Sequence, residues 1–420
     1  MLAARVCRNE ETGGKSRSAR LCALPGEMSA QPPSTSGFSL VAGGPAHWLQ
    51  EKLGLVGPGS LRLVRRALLS TVLTWGVLLV LSAVQGLAIG SAVRIPFLSD
   101  FAAYARFLVA IPMLILAEGL ISREIAAVAL HFERSGLIAG SDRPKSEAAL
   151  ERASRMRDST AAEVGILVLA ALSAILVLDV FPLNFSTWRS IVSASGHART
   201  LAGWWYLVVG VVLFEFLLWR WLWRLFIWYG FLWRMSRLDL RLIATHPDRA
   251  AGLGFVGDAQ RFFWIIVSAF AFTAAGVVGD EIVYGGVPLS AFQYAIAGYV
   301  VLVLAVFLLP LTMFSTQMSR AKRKSMREYS ALAIQHNRLF DEKWVQGRHA
   351  KDEVPLGAPE ISSLADLAGA SDVLYRMRPV PFDPRDAVAL ALAALIPMTP
   401  LALTMFPAGR IFDLMFKVLA

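Results

Sequence analysis

The chain has 420 residues, of which 56% are hydrophobic and only 17% are charged, and its mean hydropathy is +0.54. This composition excludes an ordinary soluble globular domain, in which about 25% of residues are charged. The formal net charge of +10 raises the question of nucleic acid. Lys and Arg flank apolar runs, however, and form no zinc-knuckle or RNA-binding motif, so we predict anionic membrane lipids and no nucleic acid as partners.

The N-terminal segment, residues 1–59, is rich in Gly, Ser, Pro and charge and is predicted to be disordered. Both cysteines, Cys7 and Cys22, lie in it, which argues against a disulfide framework or a cysteine metal site in the membrane. Met28 is an alternative initiator, in which case residues 1–27 would be a mis-called start. No signal peptide is predicted, because the first long apolar run begins only near Ala67.

Six apolar runs reach the length of about 20 residues that a bilayer-crossing helix requires. They cover approximately residues 67–89, 101–121, 162–181, 203–227, 262–283 and 291–313. A seventh run, 386–406, contains prolines and is predicted to be either a kinked span or a re-entrant segment. The sequence therefore predicts an all-α, polytopic transmembrane helical bundle with six or seven spans.

Lys and Arg are concentrated in alternate loops, which predicts a cytoplasmic N-terminus by the positive-inside rule. Residues 60–315 form the predicted bundle with its inner loops, 316–385 a cytoplasmic basic helix and loop, and 386–420 the C-terminal hydrophobic segment. Two spans are predicted to continue as helices beyond the bilayer. One is a 41-residue helix from Gly203 to Ile243, and the other runs on from the sixth span through Arg320 to Trp344.

Charged residues inside spans are costly in hydrocarbon and are functional candidates by default. Glu118 and Arg220 each lie 17 residues from the start of spans that run in the same direction, so we predict that they lie at a similar depth and pair. A structural ion pair and a functional site are equally compatible with this pattern. Glu215 lies near mid-membrane with no obvious partner, which favours a functional role.

The loop between the fourth and fifth spans reads His246-Pro-Asp-Arg-Ala-Ala-Gly-Leu-Gly-Phe255. One interpretation makes it a cytoplasmic site, in which His246, Asp248 and Arg249 relay protons or bind a ligand, and Gly252 and Gly254 let the backbone approach an anion. The other interpretation, which we favour, is structural: Thr245-x-x-Asp248 has the spacing of a capping box with Pro247 in the first helical turn.

Five basic residues follow the sixth span and are candidates for contact with anionic lipid. They are Arg320, Lys322, Arg323, Lys324 and Arg327. The six histidines are scattered without ligand spacing, so neither a metal site nor a cofactor is predicted.

Several stretches together resemble a group of uncharacterised bacterial multi-pass inner-membrane proteins with an HPDRAxGLGF cytoplasmic loop. The stretches are Thr74-Trp75, Ile95–Asp100, Glu118, Phe214–Trp223 and the His246–Phe255 loop. The resemblance covers most of the chain after Arg62. It implies a bacterial inner membrane and carries no known activity.

Three functions are compatible with the sequence. The first hypothesis is a small-ion or small-solute channel or transporter that uses Glu215, Glu118 and Arg220. The alternatives are an intramembrane enzyme that acts on a lipid-derived substrate at the His246 loop, and a non-catalytic membrane scaffold. Assembly into a homo-oligomer is compatible with each of them.

Overall fold

A computed structural model describes residues 39–41, 43–56, 62–180, 186–193, 196–348 and 359–405, all within the unit Phe38–Ala420. Its helices are α1 (Pro45–Lys52), α2 (Leu63–Val84), α3 (Phe101–Arg134), α4 (Arg143–Arg157), α5 (Thr160–Val180), α6 (Leu201–Met235), α7 (Gly254–Arg261), α8 (Trp264–Val283), α9 (Leu289–Val345), α10 (Pro359–Tyr375) and α11 (Pro384–Leu395). The disorder predicted for residues 1–38 and the alternative start at Met28 lie outside the described residues.

The predicted all-α membrane bundle is confirmed in the described residues. Six helical segments are long and apolar enough to cross a membrane, namely α2, α3, α6, α7 with α8, α9, and α11 with its continuation. A seventh is obtained when α4 and α5, which meet at a bend of 47°, are taken as one broken span. The described strands are two four-residue segments, β1 (Ser190–Ser193) and β2 (Gly196–Arg199), which form an antiparallel hairpin.

Polar side chains cap the N-termini of several of these helices. The Asp100 carboxylate accepts the backbone N–H of Ala103 at 2.7 Å at the start of α3, and the Thr200 hydroxyl accepts that of Gly203 at 2.9 Å at the start of α6. Such caps satisfy N–H groups that the first helical turn leaves without partners. The apolar runs that follow then form helices because every other backbone group must be bonded within the segment in lipid.

The C-terminal hydrophobic segment crosses the bundle from end to end. Asp386 in its first turn is 3.0 Å from Arg261, which precedes α8. Near its other end, Met398 and Leu401 pack in one cluster with Leu289, the first residue of α9, at the opposite end of α8. Pro400 is accommodated because residues Ile396–Met405 form a 3-10 helix. The two ends of the segment therefore pack near opposite ends of α8, and the choice between a kinked span and a re-entrant segment stays a prediction.

Helix α6 is shorter than predicted, whereas α9 is as long as predicted. The chain leaves α6 at Met235 because Leu238 and Leu240 turn back into the core, and Leu240 forms a backbone bridge with Ile138. The Gln317 side chain donates to the carbonyls of Ser236 and Leu238, at 2.8 Å each, and holds this turn. The predicted 41-residue helix is therefore wrong by its last eight residues. Helix α9 extends over 57 residues to Val345 and includes a 3-10 segment, Leu309–Phe314.

Part of the N-terminal segment predicted to be disordered is ordered. We call residues 39–56 the strap; all of them except residue 42 are described. Leu40 and Val41 are buried, the hydroxyls of Ser39 and Ser122 lie 2.8 Å apart, and Arg157 donates to the Ser39 carbonyl at 2.5 Å. The prediction failed here because the apolar residues of the strap are too few to form a sequence pattern, although they are enough to dock it on a preformed bundle.

Candidate functional site: a row of ionisable side chains along one span

A group of paired charges lies at the N-terminal end of α6. The Asp100 carboxylate accepts the indole N–H of Trp188 at 2.8 Å and is 3.2 Å from the guanidinium of Arg189. Arg189 also donates to the hydroxyl of Tyr206, at 3.4 Å, and Arg106 donates to the same hydroxyl. Arg106 and Tyr206 each lie in a π-helical turn, a feature that often marks functional positions in helices.

The middle of α6 carries Glu215, for which the sequence offered no partner. Its carboxylate accepts the hydroxyl of Ser173 on α5 at 3.2 Å, and the Ser173 oxygen accepts the indole N–H of Trp219 at 3.3 Å. Arg106 is close enough to interact electrostatically with Glu215. Glu215 is therefore half-buried in the seam between α5 and α6, between the group at the N-terminal end of α6 and the charges further along the helix.

The C-terminal half of α6 contributes to a buried cluster centred on Glu118, whose side chain is 1% exposed. Arg224 donates to Glu118 Oε1 through both terminal nitrogens at 3.0 Å, and Arg66 lies 2.6 Å from Oε2. Arg220 lies 3.7 Å from Oε1, as the equal depth of the two residues predicted. On its other side Arg220 is 3.6 Å from Glu163 of α5. The pair expected from the sequence is thus part of a five-residue cluster.

The strap covers one side of this cluster. The backbone N–H of Ala46, in the first turn of α1, donates to Glu163 Oε2 at 2.5 Å. His47 on the same turn interacts electrostatically with Glu118, Arg66 and Arg220, and its burial lowers the pKa of its imidazole below the ordinary value. The imidazole is therefore neutral at pH 7 and adds no charge to the cluster.

The His246 loop forms a structure separate from the Glu118 cluster. Asp248 Oδ1 accepts the N–H groups of Ala250 and Gly252 at 2.8 and 3.2 Å, and Oδ2 accepts that of Gly254 at 2.9 Å. The anion that the backbone at Gly252 and Gly254 approaches is therefore the Asp248 carboxylate of the same loop. His246 lies 2.9 Å from the same carboxylate.

A segment near the C-terminus holds this loop in place. Arg378 donates through its side chain to the Asp248 carbonyl at 2.9 Å and through its backbone to the Arg249 carbonyl at 2.8 Å. The capping-box interpretation is wrong in its register, because α7 begins at Gly254 and Thr245 lies in a turn well before it. Asp248 instead organises the loop that leads into α7.

Asp248→Asn should lower the free energy of unfolding by about 1–3 kcal/mol, because an amide replaces one of two acceptor oxygens and turns a donor towards a backbone N–H. Thr245→Ala, whose side chain does not begin the helix, should change it by less than about 0.5 kcal/mol. Thermal unfolding of the purified variants in detergent measures both changes. Equal changes in the two variants would contradict this account of the loop.

The same carboxylate gives this loop a pH dependence. Burial would raise the pKa of Asp248, but the N–H groups of Ala250 and Gly254 and the side chain of His246 outweigh it, so the pKa lies below the ordinary value. A group with a lowered pKa in the folded state stabilises above the unfolded pKa and loses that contribution as the pH falls below about 4. Asp248→Asn should therefore remove part of the acid sensitivity of the fold.

The basic residues predicted to contact lipid lie on the extension of α9. Arg320, Arg323, Lys324 and Arg327 are exposed. Lys322 has a different role: its ammonium donates to the carbonyls of Tyr375 and Met377, at 2.9 and 2.6 Å, and fixes the end of α10. Contact of the exposed residues with anionic lipid remains a prediction.

The structure therefore separates the two predicted groups of site residues. Glu118 and Arg220 are in contact, Glu215 lies further along the same row, and the His246 loop is held by residues that follow α10. Arg66 and Arg224 were missed as partners of Glu118, and Glu163 was missed as a partner of Arg220. Arg224 follows Arg220 by one helical turn, a spacing that indicates a shared face. The described residues contain no cluster of three or more His, Cys, Asp or Glu side chains suited to a metal ion. No protein-family model, curated protein or solved structure matches the chain.

Proposed function

We propose that this integral membrane protein is a transport protein that moves a small ion or small solute along the seam between α5 and α6. One observation carries the proposal: ionisable side chains recur along α6 from Tyr206 through Glu215 to Arg220 and Arg224. Successive members are about 14, 8 and 6 Å apart along the axis at 1.5 Å per residue. A single buried ion pair would suffice to fix two helices, whereas this row extends over most of the membrane thickness.

Placing such a row of ionisable side chains in the membrane is energetically unfavourable, which supports a functional role. Charged groups in the hydrocarbon region are expensive and are retained mostly where they line a route for ions or solutes. Helix α5, which forms the other wall of the seam, contacts α6 through Glu163 and Ser173 and presents its apolar side outward. Buried Ile166, Ala170 and Ala174 also pack α5 into the bundle, so transport along the seam requires these apolar contacts to open as well as the polar ones.

The enzyme hypothesis has less support. It required His246 and Asp248 to converge with Glu118 at an open cleft. Asp248 is instead bonded to backbone N–H groups of its own loop, and Glu118 has its described contacts with the three arginines. The scaffold hypothesis rests on the basic extension of α9, which is compatible with either function.

The flux experiment uses proteoliposomes that contain a pH-sensitive and a chloride-sensitive dye. We expect wild-type protein to accelerate the movement of protons or chloride over empty vesicles, and Glu215→Gln to slow it by about tenfold or more, because an amide cannot carry a proton or keep the charge of the row. Glu151→Gln, which removes an exposed carboxylate of α4, is the matched control. The proposal fails if neither probe moves faster than in empty vesicles, or if both variants behave as wild type.

We also propose a bacterial inner-membrane location with a cytoplasmic N-terminus, from the Lys/Arg asymmetry and the resemblance of the sequence. Contact with anionic lipid and assembly into a homo-oligomer belong to the same proposal. The loop at 131–160 and the segment at 318–385 would then face the cytoplasm.

Labelling with an impermeant thiol reagent tests the orientation in a background without Cys7 and Cys22. Glu147→Cys on α4 should be protected in intact cells and labelled after permeabilisation. Ser290→Cys, exposed at the opposite end of the bundle, should be labelled in intact cells. The reverse pattern would contradict the orientation.

A further inference from the structure

The described neighbours of Arg220 do not accept hydrogen bonds from its guanidinium. Its side chain is 7% exposed, and its nearest acidic atoms, on Glu118 and Glu163, are 3.7 and 3.6 Å away. Both distances exceed a normal N–H···O hydrogen bond. Among the described residues no other acceptor is hydrogen-bonded to Arg220, although Arg66 and Arg224 approach Glu118 much more closely. The Arg220 nitrogens are not among the fully buried atoms without a partner, so the guanidinium offers donors that a small ligand can reach.

The charge of the cluster is also unbalanced. Three guanidinium groups, of Arg66, Arg220 and Arg224, face the two carboxylates of Glu118 and Glu163, which leaves one positive charge in excess. His47 is neutral at pH 7 and does not alter the count. An uncompensated charge in a buried, low-dielectric region is unfavourable and attracts a counter-ion.

We propose that Arg220, supported by Arg66 and Arg224, binds one small monovalent inorganic anion at the inner end of the row. This inference rests on the proposed function in naming such an anion as the transported solute. One negative charge neutralises the cluster, whereas a divalent anion such as phosphate would leave it negative and would meet repulsion from Glu118 and Glu163. Arg220 is the binding residue because its donors remain free for a ligand.

Displacement of the strap would open this site to the cytoplasm. The N–H of Ala46 holds Glu163 beside Arg220, and Ser39 anchors the strap to Ser122 and Arg157. These few polar contacts, with the buried Leu40 and Val41, are what must break for the cytoplasmic side of the site to open. The anion is therefore enclosed when the strap is docked and exchanges when the strap leaves.

Equilibrium binding of radioactive chloride to the full-length protein in nanodiscs tests the site without requiring transport. We expect saturable binding of about one chloride per chain, at least tenfold weaker binding by Arg220→Gln, and unchanged binding by Arg237→Gln, which removes an exposed charge just beyond α6. Arg220→Lys keeps the charge and should bind with intermediate affinity. If circular dichroism shows that Arg220→Gln does not fold, Arg220→Lys provides the comparison. Chloride binding by Arg220→Lys with wild-type affinity would then count against the site.

Each outcome bears on the site or on transport separately. Equal chloride binding by wild type and Arg220→Gln, or the absence of saturable binding by wild type, would overturn the site. Competition by phosphate more strongly than by nitrate would overturn the monovalent class and indicate a phosphate or lipid headgroup instead. Chloride binding that depends on Arg220, without any chloride flux, would support the site and reject transport. Chloride flux without such binding would support transport and reject the site.

Discussion

Glu118→Ala is expected to lower the free energy of unfolding by about 3–5 kcal/mol, the largest stability effect of any single substitution considered. The carboxylate is 1% exposed and lies against the guanidinium groups of Arg66, Arg220 and Arg224. Its removal leaves three buried positive charges with only Glu163 nearby, and an uncompensated buried charge is strongly destabilising. Thermal unfolding of the purified protein in detergent measures this loss of stability.

A second substitution tests the composition of the cluster. Glu118→Ala with Arg220→Leu should recover only part of the stability, because Arg66 and Arg224 still lack their partner. Full recovery would mean that Glu118 and Arg220 form an isolated pair, as their depths alone predicted. Glu151→Ala is the control, since loss of an exposed carboxylate should change stability by less than about 0.5 kcal/mol.

The sequence predicted the bundle because long apolar runs have few other stable structures. It predicted the contact of Glu118 with Arg220 because depth along a helix follows from residue counting at 1.5 Å per residue. Counting along one helix cannot reveal which faces meet. Arg66 and Arg224 became visible as partners of Glu118 only once α2 and α6 were packed against α3, and Glu163 as a partner of Arg220 once α5 was packed against α6.

The remaining errors have a common physical origin. The strap, the end of α6 and the capping of the His246 loop are each decided by contacts between residues far apart in sequence, such as Ser39 with Ser122 and Leu240 with Ile138. Local spacing predicted a cap at Thr245, yet Arg378 holds a loop in which Asp248 bonds three N–H groups around Gly252 and Gly254. Tertiary packing outweighed the local signal.

The central claim is that the seam between α5 and α6 is a route for ions or solutes, and access of water to Ser173 tests it most directly. Ser173→Cys places a thiol beside Glu215, whereas Leu172→Cys, the neighbouring position, places one on the outward apolar surface of α5. Charged methanethiosulfonate reagents react with thiolates, which form in water and not in lipid.

In membranes that contain the protein without Cys7 and Cys22, the account predicts that Ser173→Cys is modified at least about tenfold faster than Leu172→Cys, since only the seam can admit water to a thiolate at that depth. Prior binding of the reagent at Ser173→Cys should also abolish the flux that the unmodified variant supports. Equal lack of reaction at both positions would show a dry seam and contradict a transport route there.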